Sequence, residues 1–261
     1  MTPADIIRLK ELLPTSLGSG EIREKFAREI LQRSVFSAKM ASAAYLSRVK
    51  EVCAAFASGE INESKARERL LRELARMGLP TEETNDLADP ASERRLNLIV
   101  ETQREMAASV AQIAAQNEGT VAAYPAWELC RLAGRRVPRE DWPQRWRAAG
   151  ESVGWDGAYD RAVNGSFVAL KASPIWQALG DGAGGFRDTL GNPYPPFAYS
   201  SGMAWLQVER GVCERLGLVD PDADAPMPDA PSLSPSERDI ADAAKRCGLG
   251  EDYFNDVLEG L

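Results

Sequence analysis

All six tryptophans of this 261-residue chain, Trp127, Trp142, Trp146, Trp155, Trp176 and Trp205, fall between residues 127 and 205. The 120 residues before them contain none, and place their apolar side chains at steps of three to five, the period of helices rather than of strands. Two textures in one chain imply two kinds of packing. The expected fold is mainly α: a long-helix bundle or arm over 1–120, then a small tryptophan- and proline-rich α+β domain over 121–219. A Pro/Asp-rich linker over 220–235 and a short acidic helical tail over 236–261 complete the expectation.

In the first part, Thr2 and Pro3 have the chemistry of an N-cap and a first helical residue. From Ser19, the apolar positions Ile22, Phe26, Ile30, Phe36, Met40, Tyr45, Val49, Val52 and Phe56 predict one helix of nearly 40 residues, or two broken near Ser34. Asn62 predicts the cap of a helix that Gly78 and Pro80 end. Asp89 and Pro90 predict the start of another, carrying Leu96, Ile99, Val100, Met106, Val110 and Ile113 and closing near Asn117 and Gly119. In the second part, PAWELCRLAG, DWPQRWRAAG, SPIWQALG and WLQVERGVCERLGL read as helices, and FVALK, residues 167–171, as the best strand.

Charge and composition limit function. Net charge is about −1 over 1–120, +1 over 121–210 and −8 over 211–261, so all the excess acid sits at the C-terminal end. A neutral body argues against broad nonspecific DNA binding, which needs a basic surface. Histidine is absent from the chain. That removes Ser-His-Asp and Cys-His catalysis and His-ligated zinc. Cys53, Cys130, Cys213 and Cys247 lie at least 34 residues apart and read as reduced, small apolar residues rather than as a disulfide or metal framework. No run reaches the ~20 apolar residues of a membrane span, and the N-terminus lacks a signal-peptide core. No membrane partner is expected.

Candidate chemistry is sparse. The glycine-rich GDGAGGFRD, residues 180–188, lacks the Lys-Ser/Thr of a phosphate cradle and the strand–helix setting of a dinucleotide site, and reads as a flexible connection. Glu101 and Glu105 share a helix face as a polar seam; Glu128, Asp156 and Asp160 form no second motif. No catalytic residue, cofactor or metal is assigned, and the chain is read as a non-enzyme. RLAGRRVPRED, residues 131–141, gathers Arg131, Arg135, Arg136 and Arg139 beside Trp142 and Trp146, a mixture suited to a protein interface and also to DNA. GNPYPPFAYSSGMAW, residues 191–205, has three prolines and four aromatics and no His, Lys, Arg, Asp, Glu or Cys. Its prolines favour an extended path, and Tyr194, Phe197, Tyr199 and Trp205 offer large surfaces at low entropic cost. The interface candidates are therefore Arg131, Arg135, Arg136, Trp142, Trp146, Tyr194, Phe197, Tyr199 and Trp205.

Several phrases in order, ERRLNLIVETQREMAAS, YPAWELCRLAGRRVPREDWPQRWRAAG, NGSFVALKASPIW and GNPYPPFAYSSGMAWLQVER, resemble the phage head morphogenesis proteins, the minor capsid group that includes phage Mu protein F. The likeness runs over roughly residues 12–218. It implies a virion protein, present in the phage head after assembly in the bacterial cytoplasm, that contacts the portal or the major capsid protein. It implies no enzyme. Many relatives close this domain with a His and two cysteines around an arginine, a metal-like set that this chain lacks. Self-association and a weak DNA contact through the 131–139 arginines are the further partner classes, and an enzyme or toxin module in the C-terminal half is the alternative of another kind.

Overall fold

The computed structural model describes residues 1–26, 28–81, 86–132, 134, 138–155 and 167–229. Contacts group these into two compact units divided between Ala107 and Ala108, inside one long helix. The predicted acidic tail, 236–261, and the linker beyond Asp229 lie outside the described residues.

The first unit opens with α1 (Pro3–Leu9). Thr2 accepts from the Asp5 amide (3.2 Å) while the Asp5 carboxylate accepts from the Thr2 amide (2.9 Å), a reciprocal capping box. β1 (Glu11–Leu12), α2 (Ser19–Lys25), α3 (Arg28–Arg33) and β2 (Ser34–Val35) follow. β1 and β2 pair in parallel, Glu11 against Ser34 and Leu12 against Val35. α4 (Ala43–Ala57) starts at Ser42, whose hydroxyl accepts from the Tyr45 amide, and α5 (Glu63–Arg76) at Asn62, whose carbonyl accepts from the Lys65 amide.

Of the two readings from Ser19, the single continuous helix is thus excluded, while the break near Ser34 is present, with a further interruption at Phe26. Phe26 takes an extended backbone, Ser34 and Val35 are drawn into the β1 pairing, and Lys39 sits at φ 57°, donating its amide to Leu17 O. A left-handed residue cannot propagate a right-handed helix. α1 and α5 both pack on α4. The buried set includes Ile6, Ile7, Tyr45, Leu46, Val49, Val52, Leu70, Leu74 and Leu96, with Leu13, Ile22 and Phe26 as a satellite.

α6 (Glu93–Ala114) begins later than Pro90 suggests. Asp89 instead accepts from the Ala91 amide in a local turn, and Ser92 accepts from the Arg95 amide at the helix start (3.2 Å).

The second unit comprises the end of α6, α7 (Glu118–Ala123), β3 (Ala126–Arg131), α8 (Trp142–Ser152), β4 (Phe167–Leu170), α9 (Ile175–Asp181), β5 (Met203–Val208) and α10 (Arg210–Arg215). Its sheet is antiparallel in the order β4-β3-β5. FVALK forms a strand as predicted, and α8 and α9 are helices as predicted. PAWELC is a strand instead of a helix, and WLQVERGVCERLGL splits into the end of β5 and α10. Both segments pair along their full strand length, Ala126 against Val208 through Arg131 against Met203, and that ladder overrides the helix preference of Glu, Leu and Ala. Ten helices and two small sheets stand among the described residues, which are about 47% helical. The architecture is mixed α+β rather than purely helical.

Candidate functional site

Strand alternation puts Trp127, Leu129 and Trp205 on one face of the sheet, and the tryptophan core grows from that face. Trp127 and Trp205 stack with centroids 3.9 Å apart and planes 11° apart. Trp176, from α9, meets them edge-on at 6.3 and 5.2 Å. Trp146, from α8, meets Trp176 at 5.5 Å and Trp155 at 5.5 Å. Phe197 closes the group against Trp176 and Trp205. Offset and edge-to-face pairs of this kind add to the large area each ring buries.

The proline-rich stretch wraps this core. Gly191 donates to Gly180 O (2.9 Å), Leu190 to Phe197 O (2.8 Å), and the Asn192 side-chain Nδ2 to Tyr194 O. Gly180 is required where it stands: a Cβ there would lie 2.0 Å from Asn192 O. The Pro195-Pro196 bond is cis.

Beside the core lies an ion-pair chain. Arg145, only 6% exposed, donates to Asp141 Oδ2 through Nε (3.0 Å) and Nη2 (2.8 Å), and its Nη1 lies 2.9 Å from Asp188 Oδ1. Arg139 Nε holds the other Asp188 oxygen at 2.9 Å, and Arg131 donates to Arg139 O (2.6 Å). The Arg145 guanidinium also lies 4.2 Å over the Phe186 ring and 5.4 Å over Trp142. Burial opposes the charge on Arg145, but its bonds to Asp141 and Asp188 outweigh that and hold its pKa above the ordinary value. Burial likewise works to raise the Asp188 carboxyl, and Arg145 and Arg139 overcome it, leaving the group below its usual range.

The glycine-rich loop is part of this arrangement. Gly184 approaches so near to α8 that a Cβ would meet Ala148 Cβ at 2.7 Å, and the same loop delivers Phe186 and Asp188 to Arg145. A second buried cation, Lys171, donates to Gln116 (2.5 Å) and Gln207 (3.1 Å). Burial pushes its pKa down to about 8.

Of the nine interface candidates, Trp142, Trp146, Tyr194, Phe197 and Trp205 are buried within the unit, and Arg131 and Tyr199 are half-buried. Arg135 and Arg136 lie outside the described residues, as do Asp156 and Asp160. The aromatic candidates thus converge on a core, and the apolar side chains left most open nearby are Leu132 (61% exposed) and Leu206 (45%). Sequence reasoning missed Arg145, Asp188 and Lys171. Arg145 stands four residues after Asp141, the spacing of a helical ion pair, and was legible on that ground; nothing local pointed to Asp188. Among the described residues no three Cys, Asp or Glu side chains gather as a metal would need, and no helix is long and apolar enough to cross a membrane.

No family model, curated protein or solved structure matches the chain.

Proposed function

We propose that this chain is a virion-associated minor head protein of a tailed bacteriophage or prophage, acting without catalysis in head assembly or in packaging and delivery of the genome. Its partners are the portal or the major capsid protein. What supports the reading is the order of the family-like phrases together with their common destination. The phrases around Trp127 and Trp146, Phe167 and Trp176, and Phe197 and Trp205 all contribute to one core. A domain of that type would draw its core from all of these phrases. The DNA-binding alternative finds less support, because of the cluster's described arginines Arg139 is paired with Asp188 and Arg131 is bonded to a backbone carbonyl.

The test is co-purification with the portal and major capsid proteins encoded beside it, followed by mass analysis of assembled heads. Specific retention in heads is the expected result. A chain absent from particles that assemble normally would overturn the reading. Retention only through DNA, lost with rising salt and with Arg131 and Arg139 replaced, would move the assignment to a DNA-binding head component.

A further inference from the structure

The C-terminal end of the second unit is held in an unusual way. After α10 the chain turns back over the sheet face opposite the tryptophans, where Val219, 8% exposed, packs with Ala126, Val168, Val208 and Cys213. Leu218 and Ala225 add partial cover, whereas 220–224 are exposed. Past Leu218, whose amide donates to Cys213 O, the segment makes only an internal turn, Ala223 N to Asp220 O. Among the described residues none of its backbone groups from Val219 to Ala225 bonds to the sheet.

One side chain does the fastening. Arg210 Nη2 donates to three carbonyls of this segment, Asp220 O (3.3 Å), Pro221 O (3.1 Å) and Ala223 O (2.6 Å), while Nη1 reaches Ala122 O (3.5 Å). Its Nε is held by Glu214 (3.0 Å), which fixes the guanidinium from the other side. A segment secured by one apolar plug and one guanidinium, with no ladder to the body, belongs to the low-stability end of local opening.

We propose that residues 218–225 form a releasable strap, latched by Arg210 onto the apolar sheet face, that opens while the sheet beneath stays folded. Release uncovers Ala126, Val168 and Val208, and frees about 25 Å of chain for whatever follows Asp229 to reach a partner. The strap does not depend on the virion reading, since it rests on contacts within this unit alone.

Cys213, fully buried beneath the strap, reports its opening. The experiment is iodoacetamide labelling of the full chain, with each cysteine quantified separately by peptide mass analysis, beside hydrogen exchange. In Arg210→Gln, Cys213 is expected to label roughly tenfold faster or more, the loss of a charge-assisted latch, with exchange rising over 218–225. Cys53 labelling and the protection of β3 and β4 stay at wild-type levels. If Cys213 remains as protected as in the wild type, the latch is disproved. Should the variant lose its fold, the wild type decides: Cys213 labelling nearly independent of low urea supports opening of the strap alone, and labelling that follows the steep urea dependence of global unfolding overturns it.

Discussion

Lys10 and Lys171 carry ammonium groups into the interiors of their respective units, where each donates to neutral acceptors: Gln103 for Lys10, Gln116 and Gln207 for Lys171. Burial lowers both pKa values to about 8, from 10.5. Between those values the unfolded chain binds more protons than the native one, so each lysine makes stability rise with pH there, and adds no pH dependence below about 8. Burial pushes the Cys53 thiol up to about 12 from 9.0, which gives the opposite slope above pH 9. Burial raises the Cys130 and Cys213 thiols too, so thiols offset part of the lysine slope as pH nears 9, and the lysines dominate between pH 8 and 9. Urea denaturation there should show a rise of about 1 kcal/mol per lysine, and Lys171→Met should remove its share. A flat profile in the wild type would contradict buried lysines. Gly180 offers a sharper test at the same scale. Gly180→Ala sets a methyl against Asn192 O, a backbone atom of the proline-rich wrap, and should cost about 3 kcal/mol in denaturant midpoints, whereas Gly185→Ala, with open space around it but a φ of 89°, should cost about 1 kcal/mol.

At the scale of elements, Arg145 fastens α8 to the glycine-rich loop. Arg145→Met takes Asp141's partner, leaves Asp188 on Arg139 alone and gives up the stacking on Phe186; both carboxylates are more than one-third exposed, so it should cost about 2–3 kcal/mol. Asp188→Asn leaves Arg145 on Asp141, and Asp188 is more than one-third exposed, so its cost should be about 1 kcal/mol. Equal costs would show that Asp188, not Arg145, is the centre of the chain. This node also explains what could be read from the sequence. The caps Thr2 and Asn62 and the breaker-free FVALK speak through neighbours a few residues away, and at both caps the predicted helix starts match the structure. The strand at PAWELC depends on Val208 and Ala204, more than 70 residues on, and the helix propensity of Glu128 and Leu129 gave the wrong local answer. The break near Ser34 is one of the two readings the apolar spacing allows, and what decides for it is again distant in sequence, since Ser34 pairs with Glu11. At the site, the sequence displayed every aromatic but not the direction in which it faces. Burial of Tyr194 and Phe197 is decided by Trp176 and Trp205, which only the folded sheet brings to them.

At the scale of the whole molecule, the uneven placing of chromophores turns the two-unit organisation into a measurable property. All six tryptophans belong to the second unit, whose aromatic core dominates the fluorescence, whereas α1 through α5 and most of α6 belong to the first and contribute heavily to the far-ultraviolet circular dichroism. Each unit has a buried core of its own, around Leu46, Leu70 and Leu74 in one and Trp127, Trp146 and Phe197 in the other, and each exceeds 100 residues, a size at which a core sustains itself. The expected behaviour is two transitions rather than one. Leu74→Ala, which empties a fully buried site in the first core, should cost about 2–5 kcal/mol there and shift the dichroism transition while leaving the fluorescence midpoint in place. Trp127→Ala should cost about 3–5 kcal/mol in the second core and shift fluorescence first. Because α6 runs through the division at Ala107, it offers the covalent route by which one core could hold the other. If either substitution moved both midpoints together, that helix would be transmitting cooperativity, and the two units would be a single thermodynamic body.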